Sequence, residues 1–240
     1  MKIKQDKCTG CGSCAVICPV EAIHVADGKA MIDKDACVEC STCYRTAVCP
    51  ARAIIQERLK WPRLVRNIFS DVASSHKITG VPGRGTEEMK TNDVTGRFGP
   101  EDLGFSIELG RPGLGARLAS VELFTVPLSR LGVEYEQANP LTALLADGDG
   151  HIKDDVKGER VLSAIIEFKV PSAKLTDVLA IIKELEGKVD TVFTVGMIAR
   201  AGADGGLPII DVLSERGFPP RPNAKVNVGL GRASPGGGVA

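Results

Sequence analysis

Eight cysteines stand at positions 8, 11, 14, 18, 37, 40, 43 and 49 of a 240-residue chain, and no other cysteine follows. The first four, in Cys8-Thr-Gly-Cys11-Gly-Ser-Cys14-Ala-Val-Ile-Cys18-Pro19, have the spacing C-x2-C-x2-C-x3-C-P. In such a run the short gaps wrap three thiolates around one face of an iron–sulfur cubane, and the fourth, turned away before the proline, reaches a different cubane. A second copy, Cys37-Val-Glu-Cys40-Ser-Thr-Cys43-Tyr-Arg-Thr-Ala-Val-Cys49-Pro50, keeps the first three positions and lengthens the last gap to five residues, Tyr44 to Val48. Two copies predict two [4Fe-4S] clusters with crossed ligand sets. One takes Cys8, Cys11, Cys14 and Cys49; the other takes Cys37, Cys40, Cys43 and Cys18. The longer gap leaves the nuclearity of the second cluster less fixed than that of the first.

Other chemistries for these thiols fit less well. Paired C-x2-C knuckles also hold zinc in four-ligand tetrahedral sites, but zinc needs neither a third cysteine two residues on nor a Cys-Pro pair closing both copies. A disulfide framework would spread through a secreted fold, and the start, MKIKQDKC, has no apolar leader. Gly10 and Gly12 suit a loop whose amides approach inorganic sulfur closely, with Ser41 and Thr42 replacing them in the second loop. Val16, Ile17, Val20, Ile23, Val38, Val48, Ile54 and Ile55 are the candidate apolar screen around the metals. His24 is left off the ligand list.

These motifs resemble the bacterial two-cluster ferredoxin domain over residues 1–57, and the resemblance implies electron transfer. Free ferredoxins of this kind are acidic, whereas residues 1–59 carry eight Lys/Arg against seven Asp/Glu. That balance points to a tethered relay. The whole chain has 30 basic and 30 acidic side chains, so bulk electrostatics do not suggest nucleic acid as a partner. No apolar run approaches the roughly 20 residues of a membrane span. A soluble, cytoplasmic protein is expected.

The elements that must carry this site divide the chain into a ferredoxin domain (1–57), a linker helix with a long irregular loop (58–102), a second domain (103–200) and a Gly/Pro-rich extension (201–240). The helix is predicted to start at Pro62 and to pack Leu64, Val65 and Ile68 on the chain itself; Lys60, Arg63 and Arg66 beside Trp61 offer the alternative of docking an acidic partner. Residues 79–104 lack a regular pattern, and Arg84 between Gly83 and Gly85 is a weak phosphate motif. Alternation of Phe105, Ile107 and Leu109, helical spacing over 114–131, and strands at 133–135, 164–170 and 189–198 around a helix capped by Ser172 and stopped by Gly187 give the order βαββαβ. The expected fold class is therefore α+β, a small 2[4Fe-4S] ferredoxin domain followed by a split βαβ domain with an antiparallel sheet. Pro127 should kink or interrupt the first helix. Gly110-Arg-Pro-Gly113-Leu-Gly115-Ala-Arg117, at a helix start, is either a candidate anion site or a packing turn. A further short helix is expected over 208–216, before a terminal stretch that looks disordered or docked on another subunit.

No nucleophile–base system and no dinucleotide fingerprint can be assembled, so no catalytic residue is assigned. The expected function is an electron-transfer subunit of a larger anaerobic oxidoreductase, a hetero-oligomer whose catalytic partner carries flavin or metal. Residues 83–97 with Gly110-Arg-Pro-Gly are similar to 6-hydroxynicotinate reductase-type proteins, which implies low-potential reduction of an N-heterocycle with flavin involved. The alternatives are a redox and metabolite sensor whose βαββαβ domain binds a small molecule, and a self-contained reductase holding its own flavin.

Overall fold

A computed structural model describes residues 1–77, 79–81, 96–111, 113–202, 204, 206–207 and 209–221. The Arg84 motif, most of the 83–97 segment and the terminal residues 222–240 lie outside them. The architecture is α+β, with antiparallel sheets throughout.

The cysteine-bearing segment is built from short pieces. Strand β1 (Lys2–Ile3) pairs antiparallel with β4 (Ile54–Ile55), bringing the two ends of the segment together. Strands β2 (Ile23–Ala26) and β3 (Lys29–Ile32) form a hairpin between the two cysteine motifs. Its turn is Asp27-Gly28, with φ of 50° and 70°, the double left-handed geometry that matches strand twist. Each motif contributes one helical turn, α1 (Ser13–Val16) and α2 (Thr42–Arg45). The core is small: Met1, Ile3, Ile23, Ala30, Ala53 and Ile54 pack with Cys14 and Cys43. So thin a core leaves much of the fold's stability to whatever the thiols bind.

The larger core lies beyond. Strands β5 (Asp102–Leu109), β7 (Glu134–Tyr135), β9 (Ala164–Pro171) and β10 (Phe193–Ile198) make a four-stranded antiparallel sheet in the order β10-β5-β9-β7. The two long strands sit in the middle, in register from Asp102 opposite Pro171 to Leu109 opposite Ala164. Alternation sends Leu103, Phe105, Ile107 and Leu109, with Ala164, Ile166, Phe168 and Val170, into one buried layer. Helices α4 (Leu118–Leu131) and α5 (Leu175–Leu185) cover it with Val121, Phe124 and Leu128 and with Val178, Leu179 and Ile182. Phe105 stacks on Phe168 with ring centroids 5.2 Å apart. Between the two parts runs α3 (Leu64–Ser70), whose Val65, Ile68 and Phe69 join the larger core. A short pair, β6 (Ala116–Arg117) with β8 (Arg160–Val161), and a last helix α6 (Ile209–Glu215) complete the described elements.

Several sequence expectations shift. Helix α4 runs through Pro127 without interruption; Phe124, Leu128 and Val121, all fully buried, hold the turns on either side of it. Ser172 does not cap α5: it opens a 3-10 turn, Ser172–Lys174, and its hydroxyl goes to Glu101. The last strand begins at Phe193, later than its apolar run, because the side chains of Asp190 and Thr191 tie the preceding turn to Ser120 and to the Gly115 carbonyl. Gly104, expected in the irregular stretch, lies inside β5, where the Phe98 ring occupies the place a Cβ would need.

Candidate metal centre

The two motifs adopt the same local path. Gly10 and Gly12 have φ of 70° and 77°; the matching residues of the second motif, Glu39 and Ser41, have φ of 56° and 58°. The residues that replace the glycines are therefore Glu39 and Ser41, and Thr42 instead begins α2. Left-handed residues before each helical turn aim Cys14 and Cys43 inward, where both are buried. The five-residue gap is absorbed by a turn over Tyr44–Ala47, with Ala47 at φ 51° and its amide donating to the Tyr44 carbonyl at 3.1 Å. Beyond it Cys49 regains the geometry of Cys18. The Ala53 amide donates to Cys49 Sγ at 3.3 Å, as the Ala22 amide does to Cys18 Sγ at 3.2 Å.

Two cavities separate the eight thiols. One is lined by Cys8, Cys11, Cys14 and Cys49 with Ile3, Gly12, Ala30 and Ile54. The other is lined by Cys18, Cys37, Cys40 and Cys43 with Met1, Val20, Ile23 and Val38. Among the described residues no three His, Cys, Asp or Glu side chains converge tightly enough to hold a single ion. The walls are apolar, as expected of Ile23, Val38 and Ile54, each at most 7% exposed. Val16 does not contribute: at 87% exposed it points to solvent. Met1, Ile3, Ala22, Ala30 and Ala53, absent from the sequence expectation, are buried here. His24 is exposed on β2 and lines neither cavity.

Burial works against the ionised thiols. It pushes Cys43 up to about 12, with further contributions from the charges of Cys40, Cys37 and Cys18. Burial also raises Cys14, followed by the neighbouring charges of Cys49, Cys11 and Cys8, and it raises Cys37, followed by the charge of Glu39. Cys11 is exposed, and the hydroxyl and amide of Ser13 lower it. Thiols so disfavoured as free anions gain most from a metal that takes the negative charge.

Polar side chains that sequence reasoning did not assign to the site hold its loops. Lys29 Nζ donates to the Cys8 carbonyl at 2.7 Å and to the Gln5 carbonyl at 2.8 Å. Buried Glu39 accepts Arg63 Nη2 at 2.7 Å and pairs with the Met1 amine, and its carbonyl accepts Asn67 at 2.9 Å. Arg66 reaches the carbonyls of Lys34, Asp35 and Cys37. Arg63 and Arg66 are thus engaged inside the chain, and Trp61 donates to Asp155. The basic segment is not a free dock for an acidic partner.

The glycine loop before α4 also resolves into packing. Arg111 pairs with Glu108 at 2.9 Å and Arg117 donates to the Gly158 carbonyl at 3.1 Å. The first amides of α4 are already occupied, Leu118 by the Glu159 carbonyl and Ala119 by the Lys157 carbonyl, each at 3.0 Å. A Cβ on Gly110 would lie 2.7 Å from the carbonyl carbon of Gly115, and one on Gly115 2.9 Å from the Val161 oxygen. These glycines permit close backbone approach, while Arg111, Arg117 and the first two amides of α4 are engaged within the chain.

Residues 1–24 match the family described as 4Fe-4S binding domain. Ferredoxin-2 of Chlorobaculum tepidum is 40% identical over 55 residues, 21% of this chain and 89% of that protein. The chain belongs to the ferredoxin family. Its ferredoxin segment is also similar to Ferredoxin 7Fe of Hydrogenibacillus schlegelii, 44% identical over 45 residues, 19% of this chain and 55% of that protein. It is similar again to one polypeptide of the H(2):CoB-CoM heterodisulfide,ferredoxin reductase of Methanothermobacter thermautotrophicus, 37% identical over 59 residues, 17% of this chain and 9% of that polypeptide. The chain thus spans about half of Ferredoxin 7Fe and a small part of the reductase polypeptide. No solved structure matches the chain. The ferredoxin segment binds 4Fe-4S iron and transfers electrons. Among the described residues no helix is long and apolar enough to cross a membrane.

Proposed function

We propose that the chain is the iron–sulfur subunit of a larger anaerobic oxidoreductase, relaying low-potential electrons to or from a catalytic partner through two [4Fe-4S] clusters. Cys8, Cys11, Cys14 and Cys49 ligate one cluster, and Cys18, Cys37, Cys40 and Cys43 ligate the other. The observation that carries this is the division of the eight thiols into two fours, in which the last cysteine of each motif lines the cavity of the other motif. Such clusters supply one-electron chemistry at potentials set by hydrogen bonds to sulfur and by burial. The chain's own part is to hold the thiolates, donate the Ala22, Ala30 and Ala53 amides to Cys18, Cys8 and Cys49, and keep water off with apolar walls.

The remainder of the chain, 58–240, serves in this proposal as the platform for the partner. Its division into 58–102, 103–200 and 201–240 follows the sequence boundaries, with α3 packed on the second core. The similarity to a polypeptide of a heterodisulfide–ferredoxin reductase favours a redox partner in a hetero-oligomer, and a flavin or metal on that partner belongs to the same proposal. A 6-hydroxynicotinate reductase-like system is the specific form suggested by residues 83–97 and 110–113. Metabolite sensing has less support, because Arg111 and Arg117 of the 110–117 loop are drawn to partners within the chain.

The test is anaerobic purification of the native assembly with iron, sulfide and flavin analysis and identification of every polypeptide. About eight irons per chain with a redox enzyme alongside is the expected result. A count nearer seven, in keeping with the 7Fe relative, would mean that one of the two sites holds a three-iron centre. A metal-free chain, or one loaded with zinc, would refute the relay.

A further inference from the structure

The two cysteine loops are held from different places. In the first loop the carbonyls of Cys8 and Gln5 accept bonds from Lys29, which belongs to the ferredoxin hairpin itself. In the second loop the corresponding carbonyls, of Cys37 and Lys34, together with that of Asp35, accept from Arg66 Nη1 at 2.9, 3.0 and 2.9 Å. Counting from the closing cysteine of each motif, Lys29 corresponds to Lys60, and Lys60 is exposed. The cation that clasps the second loop therefore comes from α3, outside the ferredoxin segment. Arg66 is 5% exposed, and its Nε pairs with Glu159, next to strand β8. Its neighbours on the helix reinforce the hold: Arg63 donates to the Lys34 carbonyl at 2.9 Å and to Glu39, and Asn67 donates to the Glu39 carbonyl.

We propose that Arg66 is a positioning residue for the second cluster alone, and that through Glu159 it ties that cluster's binding loop to the second domain. The inference rests on the two-cluster reading above. The guanidinium fixes three carbonyls that lead into Cys37 and places a permanent positive charge on that side of the site. A nearby cation favours the more negative, reduced state of a cluster, so Arg66 raises the second potential relative to what a neutral residue would give. Lys29 does the equivalent for the first cluster without reference to the second domain. A partner that moves the Glu159 region would thus address one cluster and leave the other unchanged.

The test uses the full chain, prepared anaerobically, as wild type, Arg66→Gln, Arg66→Lys, Glu159→Gln and Lys29→Gln. Signals are assigned to the sites with Cys11→Ser and Cys40→Ser. In R66Q the EPR-monitored midpoint of the second cluster is expected to fall while that of the first stays. Chelator-driven iron loss from the second site is expected to accelerate about tenfold or more, since charge-assisted hydrogen bonds are lost. Hydrogen exchange should rise across residues 34–39 and not across 5–10, and K29Q should give the converse. E159Q removes a negative charge, so it should move the second midpoint the other way by a smaller amount while still loosening exchange across 34–39, and R66K, keeping the charge without the fork of donors, should restore the midpoint but not the exchange protection. Equal effects of R66Q on both clusters, or no effect on either midpoint and no change in exchange, would overturn the proposal. If R66Q does not fold, R66K and E159Q decide it on the same exchange readout: loss of protection confined to 34–39 supports the clasp, and protection unchanged in both overturns it. Failure of the relay reading looks different, as Cys11→Ser or Cys40→Ser leaving both signals intact, and the exchange comparison reads the clasp even then.

Discussion

Replacing Gly10 with alanine separates two costs that glycines in a cluster loop ordinarily combine. Any residue with a Cβ at φ near 70° carries about 1–2 kcal/mol of local strain, and Gly12, at φ 77°, carries the same. The surroundings differ. A Cβ on Gly10 would lie 2.2 Å from the Gly28 carbonyl oxygen and 2.6 Å from its carbon, whereas one on Gly12 meets only Val25 Cγ2 at 4.0 Å. Backbone atoms have no rotamer to turn aside, so the Asp27-Gly28 turn must recoil by about 1 Å, an overpacking cost of about 1–3 kcal/mol. The recoil also displaces Lys29, which holds the Cys8 and Gln5 carbonyls. Gly10→Ala should therefore cost about 2–5 kcal/mol and Gly12→Ala about 1–2. The assay is iron and sulfide per chain after anaerobic preparation, followed by the rate of chelator-driven loss from the first site. The two differ by the overpacking cost of about 1–3 kcal/mol, a factor of about 5 to 150, so G10A should release first-site iron at least roughly fivefold faster than G12A. Equal damage from the two variants, or wild-type retention in G10A, would refute the steric reasoning.

Crossed ligation has its own signature. Cys18→Ser should deplete the site built on the second motif, and Cys49→Ser the site built on the first, each leaving about four of eight irons; iron analysis with EPR of each variant checks this, and depletion of the local site instead would show uncrossed ligand sets. In the larger core, Phe168→Ala removes a ring stacked on Phe105 and edge-on to Tyr135 and should cost about 3–5 kcal/mol in denaturant unfolding, with a loss under 1 kcal/mol counting against this packing. His76 is held below the ordinary histidine value by burial and, secondarily, by the charge of Lys153. The folded state thus prefers neutral imidazole while the unfolded chain takes the proton. Stability is unaffected above about pH 6.5 and falls as the pH drops below it, by at most about 1.4 kcal/mol per unit. Trp61 fluorescence during urea unfolding at several pH values should show that slope in wild type and a flatter one in His76→Gln; identical slopes would remove His76 as the cause.

What the sequence disclosed and what it withheld follow from the range over which each feature is determined. Ligand spacing is fixed by the covalent chain, so Cys8 to Cys18 and Cys37 to Cys49 group together on spacing alone. Strand alternation is equally local, and Phe105, Ile107 and Leu109 with Ala164, Ile166, Phe168 and Val170 fall on the buried face it implies. The errors arise where a distant contact overrules a local preference. Glu39 is a poor choice for a left-handed turn, and it sits there because Arg63, Asn67 and the Met1 amine satisfy it from elsewhere in the chain. Pro127 ought to break α4, yet buried side chains on both sides keep the helix on the sheet. Ser172 has an equally good partner in Glu101, and capping loses. Asp27-Gly28 is a missed signal of a different kind, a local hairpin turn that the neighbouring cysteines overshadow.

The basic linker is the most misleading stretch, because its arginines face the cysteine loop and not the solvent. A freely diffusing carrier can leave its charges in water, where they steer encounters. Here Arg63 and Arg66 turn inward, with Glu39 at 1% exposure, Arg66 at 5% and Asp71 at 4%. Asp71 in turn pairs with Arg45 of the second motif and accepts Asn67 of α3 at 3.3 Å. Buried charges of this kind contribute little net stability, since desolvation offsets most of their attraction. What they do supply is a single geometry, because any slippage strands an unpaired charge at a cost of several kcal/mol. The network runs through the second cysteine loop, α3 and Glu159, and it does not involve the first loop. One cysteine site is thereby built into the larger domain while the other stays near the surface with Cys11 exposed.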